Sequence, residues 1–80
     1  MVQPLSWRLS VNLRDRKYTQ IATMDFARRE RIDLQLVQLL FKQHDKSWSK
    51  LFEFTNELGE LLAFRASAYD SHTVTEIEST

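Results

Sequence analysis

Residues 48–69 read WSKLFEFTNELGELLAFRASAY, and the fold of the whole chain turns on whether this segment is a helix. Trp48, Leu51, Phe52, Thr55, Leu58, Leu62, Ala66 and Tyr69 recur at i, i+3, i+4 and i+7, while Ser49, Glu53, Asn56, Glu57, Glu60 and Ser67 take the other side. That spacing predicts an amphipathic helix with one buried face. Ser47 or Asp45 would cap it. Gly59 then falls in a helix interior, beside Thr55, Ala63 and Ala66, where a strip of small residues lets another backbone approach.

Two side chains sit awkwardly on this helix. Phe64 projects from the side that carries Glu53, Glu57 and Glu60, which marks it as a contact anchor rather than core. Arg65 lies near the centre of the apolar face, where a guanidinium needs a carboxylate, an edge or an interface; Asp33 is the candidate internal partner. Phe64, Arg65, Glu53, Glu57 and Glu60 are therefore the expected protein-interface residues.

Working outward, residues 25–43 also read as a helix, capped by Thr23 or Asp25. Arg28, Arg31, Gln35, Gln38 and Lys42 form one polar stripe, and Arg, Glu, Leu and Gln dominate the composition. Residues 31–37 also alternate in the manner of a strand, which is the competing reading of that stretch. A short connector around His44 and Asp45 would make the two helices antiparallel neighbours.

Near the N-terminus, Leu5, Trp7, Leu9, Val11 and Leu13 alternate with Ser6, Arg8, Ser10 and Asn12, the period of a half-buried strand. Residues 18–24, YTQIATM, supply a second strand, and residues 14–17, RDRK, join the two. The join holds neither Gly nor Asn, so a longer type I loop is expected rather than a tight primed turn. The sum is an α+β fold: an N-terminal antiparallel β-hairpin, an antiparallel two-helix hairpin and a flexible C-terminal tail. One domain over 1–72 and a polar tail over 73–80 are expected, with an edge strand through Val74 and Ile77 as the alternative for the tail.

Composition narrows the function. Eighty residues make a single small domain with a thin stability margin, and the absence of cysteine removes disulfides and thiolate zinc sites as staples. Association with a second chain is the staple that remains. No apolar run approaches a membrane span and no signal-peptide pattern opens the chain, so a cytoplasmic protein without membrane contact is the default.

Glycine-rich phosphate loops, HExxH and EF-hand spacings do not occur. His44 and His72 read as exposed or satisfied histidines, and the three glutamates read as a solvated stripe rather than a cation site. No catalytic residue, cofactor or metal is expected.

Net charge is zero but divided. Residues 1–31 carry seven basic and three acidic side chains, net +4, and residues 32–80 carry four and eight, net −4. Such asymmetry points to an anionic partner for the first half. Arg14, Arg16, Lys17, Arg28, Arg29 and Arg31 are the candidate nucleic-acid contacts. The leading expectation is a non-enzymatic protein-interaction module, an adaptor, inhibitor or assembly subunit, that forms a homodimer. The alternative is a nucleic-acid-binding accessory or regulatory protein.

Overall fold

The computed structural model describes residues 4–45 and 50–77. Strands β1 (Trp7–Asp15) and β2 (Tyr18–Phe26) lead into helix α1 (Arg29–His44). Strands β3 (Leu51–Thr55) and β4 (Leu61–Arg65) follow, then a single 3₁₀ turn (Ala66–Ala68) and strand β5 (Tyr69–Glu76). The strands form two antiparallel sheets, β2-β1-β5 and β3-β4.

The alternating N-terminal segment forms its strand as expected. Leu9 and Val11 are fully buried, with Leu9 opposite Met24 and Trp7 opposite Phe26 on the same face. The other face is polar: Arg8, Ser10 and Asn12 lie opposite Thr75, Thr73 and Ser71 of β5, and Asn12 Nδ2 donates to Ser71 Oγ at 2.8 Å. One face of this sheet is thus core and the other meets solvent.

The hairpin join is tighter than expected. Asp15 pairs with Tyr18, leaving a two-residue loop in which Arg16 has φ 56°. A positive φ at the first loop position is the primed-turn solution that matches strand twist. It is strained for a residue with a Cβ, at about 1–2 kcal/mol.

The second helix does not form, and the α+β two-helix hairpin is corrected to a mostly β fold with a single helix among the described residues. Within residues 51–65 the decisive period is two. Phe52, Phe54 and Phe64 point inward, with Leu62 half-buried beside them, while Leu51, Glu53, Leu61, Ala63 and Arg65 point out. Residues 56–60 are the turn: Gly59 has φ 79° and its N–H donates to the Asn56 carbonyl at 3.1 Å. Gly59 is therefore a turn glycine, and the strip of small residues is not a helix-packing groove. Trp48, Ser47 and Ser49 lie outside the described residues.

Helix α1 forms but starts later than expected, because β2 continues through Asp25 and Phe26 to pair with Arg8 and Trp7. Asp25 is consequently a strand residue holding Arg8 in a two-point ion pair, at 2.8 Å to Nε and 3.2 Å to Nη2, not a helix cap. The competing strand reading of residues 31–37 is excluded by α1 itself. The tail is also corrected. Residues 69–76 form β5 against β1, with Val74 opposite Leu9, because the far edge of β1 otherwise leaves its backbone groups unpaired.

The core lies between these layers. Ile32, Leu36 and Leu39 of α1 meet Leu9, Val11, Met24 and Phe26 of the first sheet and Phe52, Phe54 and Phe64 of the second.

Candidate functional site

Helix α1 carries three faces. Ile32, Leu36 and Leu39 enter the core. On one flank, Gln35 reaches β3, its Nε2 donating to the Thr55 carbonyl at 2.8 Å and its Oε1 accepting from the Thr55 N–H at 2.9 Å. Arg31 joins it, donating from Nε to the same carbonyl at 2.8 Å and from Nη2 to Thr55 Oγ1 at 3.2 Å. This polar flank locks the rotation of the helix about its own axis.

Because that rotation is fixed, the opposite flank faces solvent, and it is apolar. Leu34 is 67% exposed and Phe41 72%, with Val37 and Leu40 exposed between them. Leu34, Val37 and Phe41 stand at i, i+3 and i+7, which places them in one row on the helix surface. Single exposed apolar residues are ordinary, whereas here four lie together on one helix flank.

Several expected interface residues lie elsewhere. Phe64 is 6% exposed, with its ring centroid 5.8 Å from that of Phe54 and 6.3 Å from that of Phe52. It is core, since β-strand alternation turns it inward where helical phase would have turned it out. Asp33 meets Arg29, four residues before it, at 4.0 Å, so it does not serve Arg65, whose side chain is exposed on β4.

Nor do the three glutamates share a face. Glu53 is exposed in the middle of β3, Glu60 accepts from Asn56 Nδ2 at 2.7 Å, and Glu57 serves the helix. Among the described residues no group of three His or acidic side chains is placed to hold a metal ion. His72 instead meets Tyr69, Oη to Nδ1 at 2.7 Å.

The role of Glu57 was not legible in the sequence. Arg28 stands at the N-cap without a side-chain capping bond, and the β3–β4 turn delivers the cap from outside: the Ala27 and Arg28 N–H groups donate to the Glu57 carboxylate at 2.9 and 3.1 Å. Burial pushes the Glu57 pKa upward, but the backbone hydrogen bonds and nearby Arg31 outweigh it and hold the carboxyl below its ordinary 4.5. A depressed folded-state pKa stabilises the fold fully above 4.5, and the contribution is lost as pH falls through the lower value. Glu57→Gln should therefore cost about 0.5–2 kcal/mol near neutrality, the range of a lost helix cap. In urea titrations its deficit against the parent should shrink with acidification; a deficit constant with pH would reject the ionised cap.

The basic candidates divide into two groups. Those around the start of α1 are engaged internally: Arg29 lies over the Trp7 ring at 5.4 Å, Arg31 is tied to Thr55, and the Arg28 N–H caps onto Glu57. Those of the hairpin tip are not. Arg14 and Arg16 line an open groove of about 590 Å³ together with Tyr18 and with Phe64 and Arg65 of β4. Lys17 stands exposed at the tip beside it. The fold thus brings Arg65, an expected protein-interface residue, to the groove of Arg14 and Arg16, expected nucleic-acid contacts.

Among the described residues no helix is long and apolar enough to cross a membrane. No protein family, curated protein or solved structure matches this chain significantly.

Proposed function

We propose that this chain is a small non-enzymatic assembly module that pairs with a second copy of itself through the outer flank of α1. The observation that carries this reading is the second apolar face of a helix whose first apolar face already fills the core. A helix apolar on two sides is suited to burial on two sides.

Charge pattern supports a second copy as the occupant. Glu30 lies in the first turn, with Asp33 just beyond it, and Lys42 and His44 in the last. Two α1 helices packed antiparallel about a two-fold axis near Val37 place Leu34 of one copy opposite Phe41 of the other. Glu30 of each helix then lies toward the Lys42–His44 end of its mate, and the helix dipoles oppose. A patch complementary to itself in this way is what an isologous dimer requires.

The test is sedimentation equilibrium of the full chain and of Phe41→Glu. The parent should be dimeric at micromolar concentration. An aromatic anchor is worth about 2 kcal/mol or more and occurs twice in such an interface, so Phe41→Glu should raise the dimer Kd by a factor on the order of 10² or more. Its far-ultraviolet circular dichroism should not change. A parent that stays monomeric at high micromolar concentration, or a variant that dimerises equally well, would overturn the proposal.

A further inference from the structure

The hairpin tip reaches beyond the layers that cover the rest of the first sheet. β5 pairs with β1 no further than Leu13, so Asp15, Tyr18 and Gln20 overhang the core. They share the inward face of the sheet with Leu9 and Met24, yet all three are exposed. The overhang and the end of β4 enclose the groove of about 590 Å³, a volume within the range of sites for small organic ligands.

Its lining combines two chemistries. Arg14, Arg16 and Arg65 line it with Asp15 as the one acidic residue, Arg14 from the solvent face of β1 at the edge that β5 leaves open, and among the described residues none of the three arginines takes part in an ion pair or side-chain hydrogen bond. Tyr18, 75% exposed, lines the same groove. Arg16 occupies a backbone conformation that glycine or asparagine would adopt with less strain, and it places a cation at the rim. Gln20 and Ser67 add hydrogen-bonding side chains within the same lining.

We infer that this groove binds a single-stranded nucleic acid, with phosphates on Arg14, Arg16 and Arg65 and an unstacked base on Tyr18. Guanidiniums match phosphate geometry, and an exposed aromatic ring beside a basic track is the stacking platform that strand binders use. An acidic peptide would engage the arginines but leave the tyrosine ring without a role. A duplex keeps its base faces stacked and has none to offer Tyr18.

Fluorescence anisotropy of a labelled mixed-sequence 12-nucleotide strand, as DNA and as RNA, titrated with the full chain across salt concentrations, tests the inference. Three phosphate contacts predict a slope of log K against log salt of about −2. Arg14→Glu combined with Arg65→Glu should lower affinity at least about tenfold and flatten that slope. Tyr18→Ala should lower it about tenfold while leaving the slope unchanged, because stacking releases no counterions. All three positions are exposed, so circular dichroism should be unaltered in both variants. No binding at low salt, undiminished binding by both variants, or equal affinity for duplex, for adenosine monophosphate or for polyglutamate would each overturn it.

Discussion

Phe54→Ala is expected to cost about 3–5 kcal/mol in urea or thermal unfolding, the range for truncating a buried phenylalanine. Phe54 is fully buried, with its ring 5.1 Å from Phe52 in an edge-on arrangement and stacked with Phe64. Removing it leaves a void between α1 and the second sheet that two neighbouring rings can close only by leaving their own contacts. A domain of this size has a total stability of about 4–12 kcal/mol, so the loss would take a large share of it. The melting temperature should fall by more than about 12 °C. Phe64→Ala should behave similarly, and Phe54→Leu, which keeps most of the volume, should cost about 1.5 kcal/mol or less. A loss below about 1 kcal/mol for Phe64→Ala would reject the inward alternation of β3 and β4.

The second large effect is expected at the β3–β4 turn. Asn56 is 2% exposed and all its side-chain polar groups are used. Its Nδ2 donates to the Asp25 carbonyl at 2.8 Å and to Glu60 Oε1 at 2.7 Å, and its Oδ1 accepts from the Leu58 and Glu60 N–H groups at 3.1 and 2.9 Å. Asn56 thus shapes the turn and fastens it to β2. Asn56→Ala strands several part-buried partners together, and about 3 kcal/mol of destabilisation is expected. Asn56→Asp keeps the acceptor but sets a carboxylate against the Asp25 carbonyl and the Glu60 carboxylate. It should destabilise at neutral pH and recover on acidification, whereas Asn56→Ala should not. Leu58→Ala, exposed in the same turn, should change stability by no more than about 0.5 kcal/mol. If Asn56→Ala were equally mild, the turn would not depend on its side chain.

These two sites bear on both proposed surfaces. The Asn56 turn also presents Glu57, which caps α1, and α1 carries the proposed dimer flank. The phenylalanine cluster supports the end of β4, from which Arg65 reaches the groove. Loss of either should weaken association through unfolding, visible as a change in circular dichroism that Phe41→Glu does not produce.

Residues 48–69 carry a helical pattern and a strand pattern at once. Leu, Glu and Ala are strong helix formers, and their spacing satisfies a helical wheel. The same residues contain Phe52-Glu53-Phe54-Thr55, a period-two run, followed by Asn56 and Gly59, both turn formers. Reading Gly59 as a helix interior required a cost of about 1 kcal/mol, and reading it as a turn residue required none. That difference was the local sign of a hairpin. Likewise, the exposed flank of α1 was concealed by its composition, since a helix apolar over most of its circumference does not say which part is buried.

From its sequence alone the chain determines the β1–β2 hairpin, because strict alternation leaves one face that must leave water. It determines most of α1 as well, and the division of charge between its halves. Tertiary structure decided the rest. Whether residues 51–65 coil or extend depended on three phenylalanines finding one another and α1 across the core, a gain that local propensities of a few tenths of a kcal/mol per residue cannot match. The same packing turned Phe64 inward and Leu34 and Phe41 outward, and it carried Arg65 to Arg14 and Arg16. Contacts between residues some fifty positions apart arise from burial summed over the whole domain, and no local pattern encodes them.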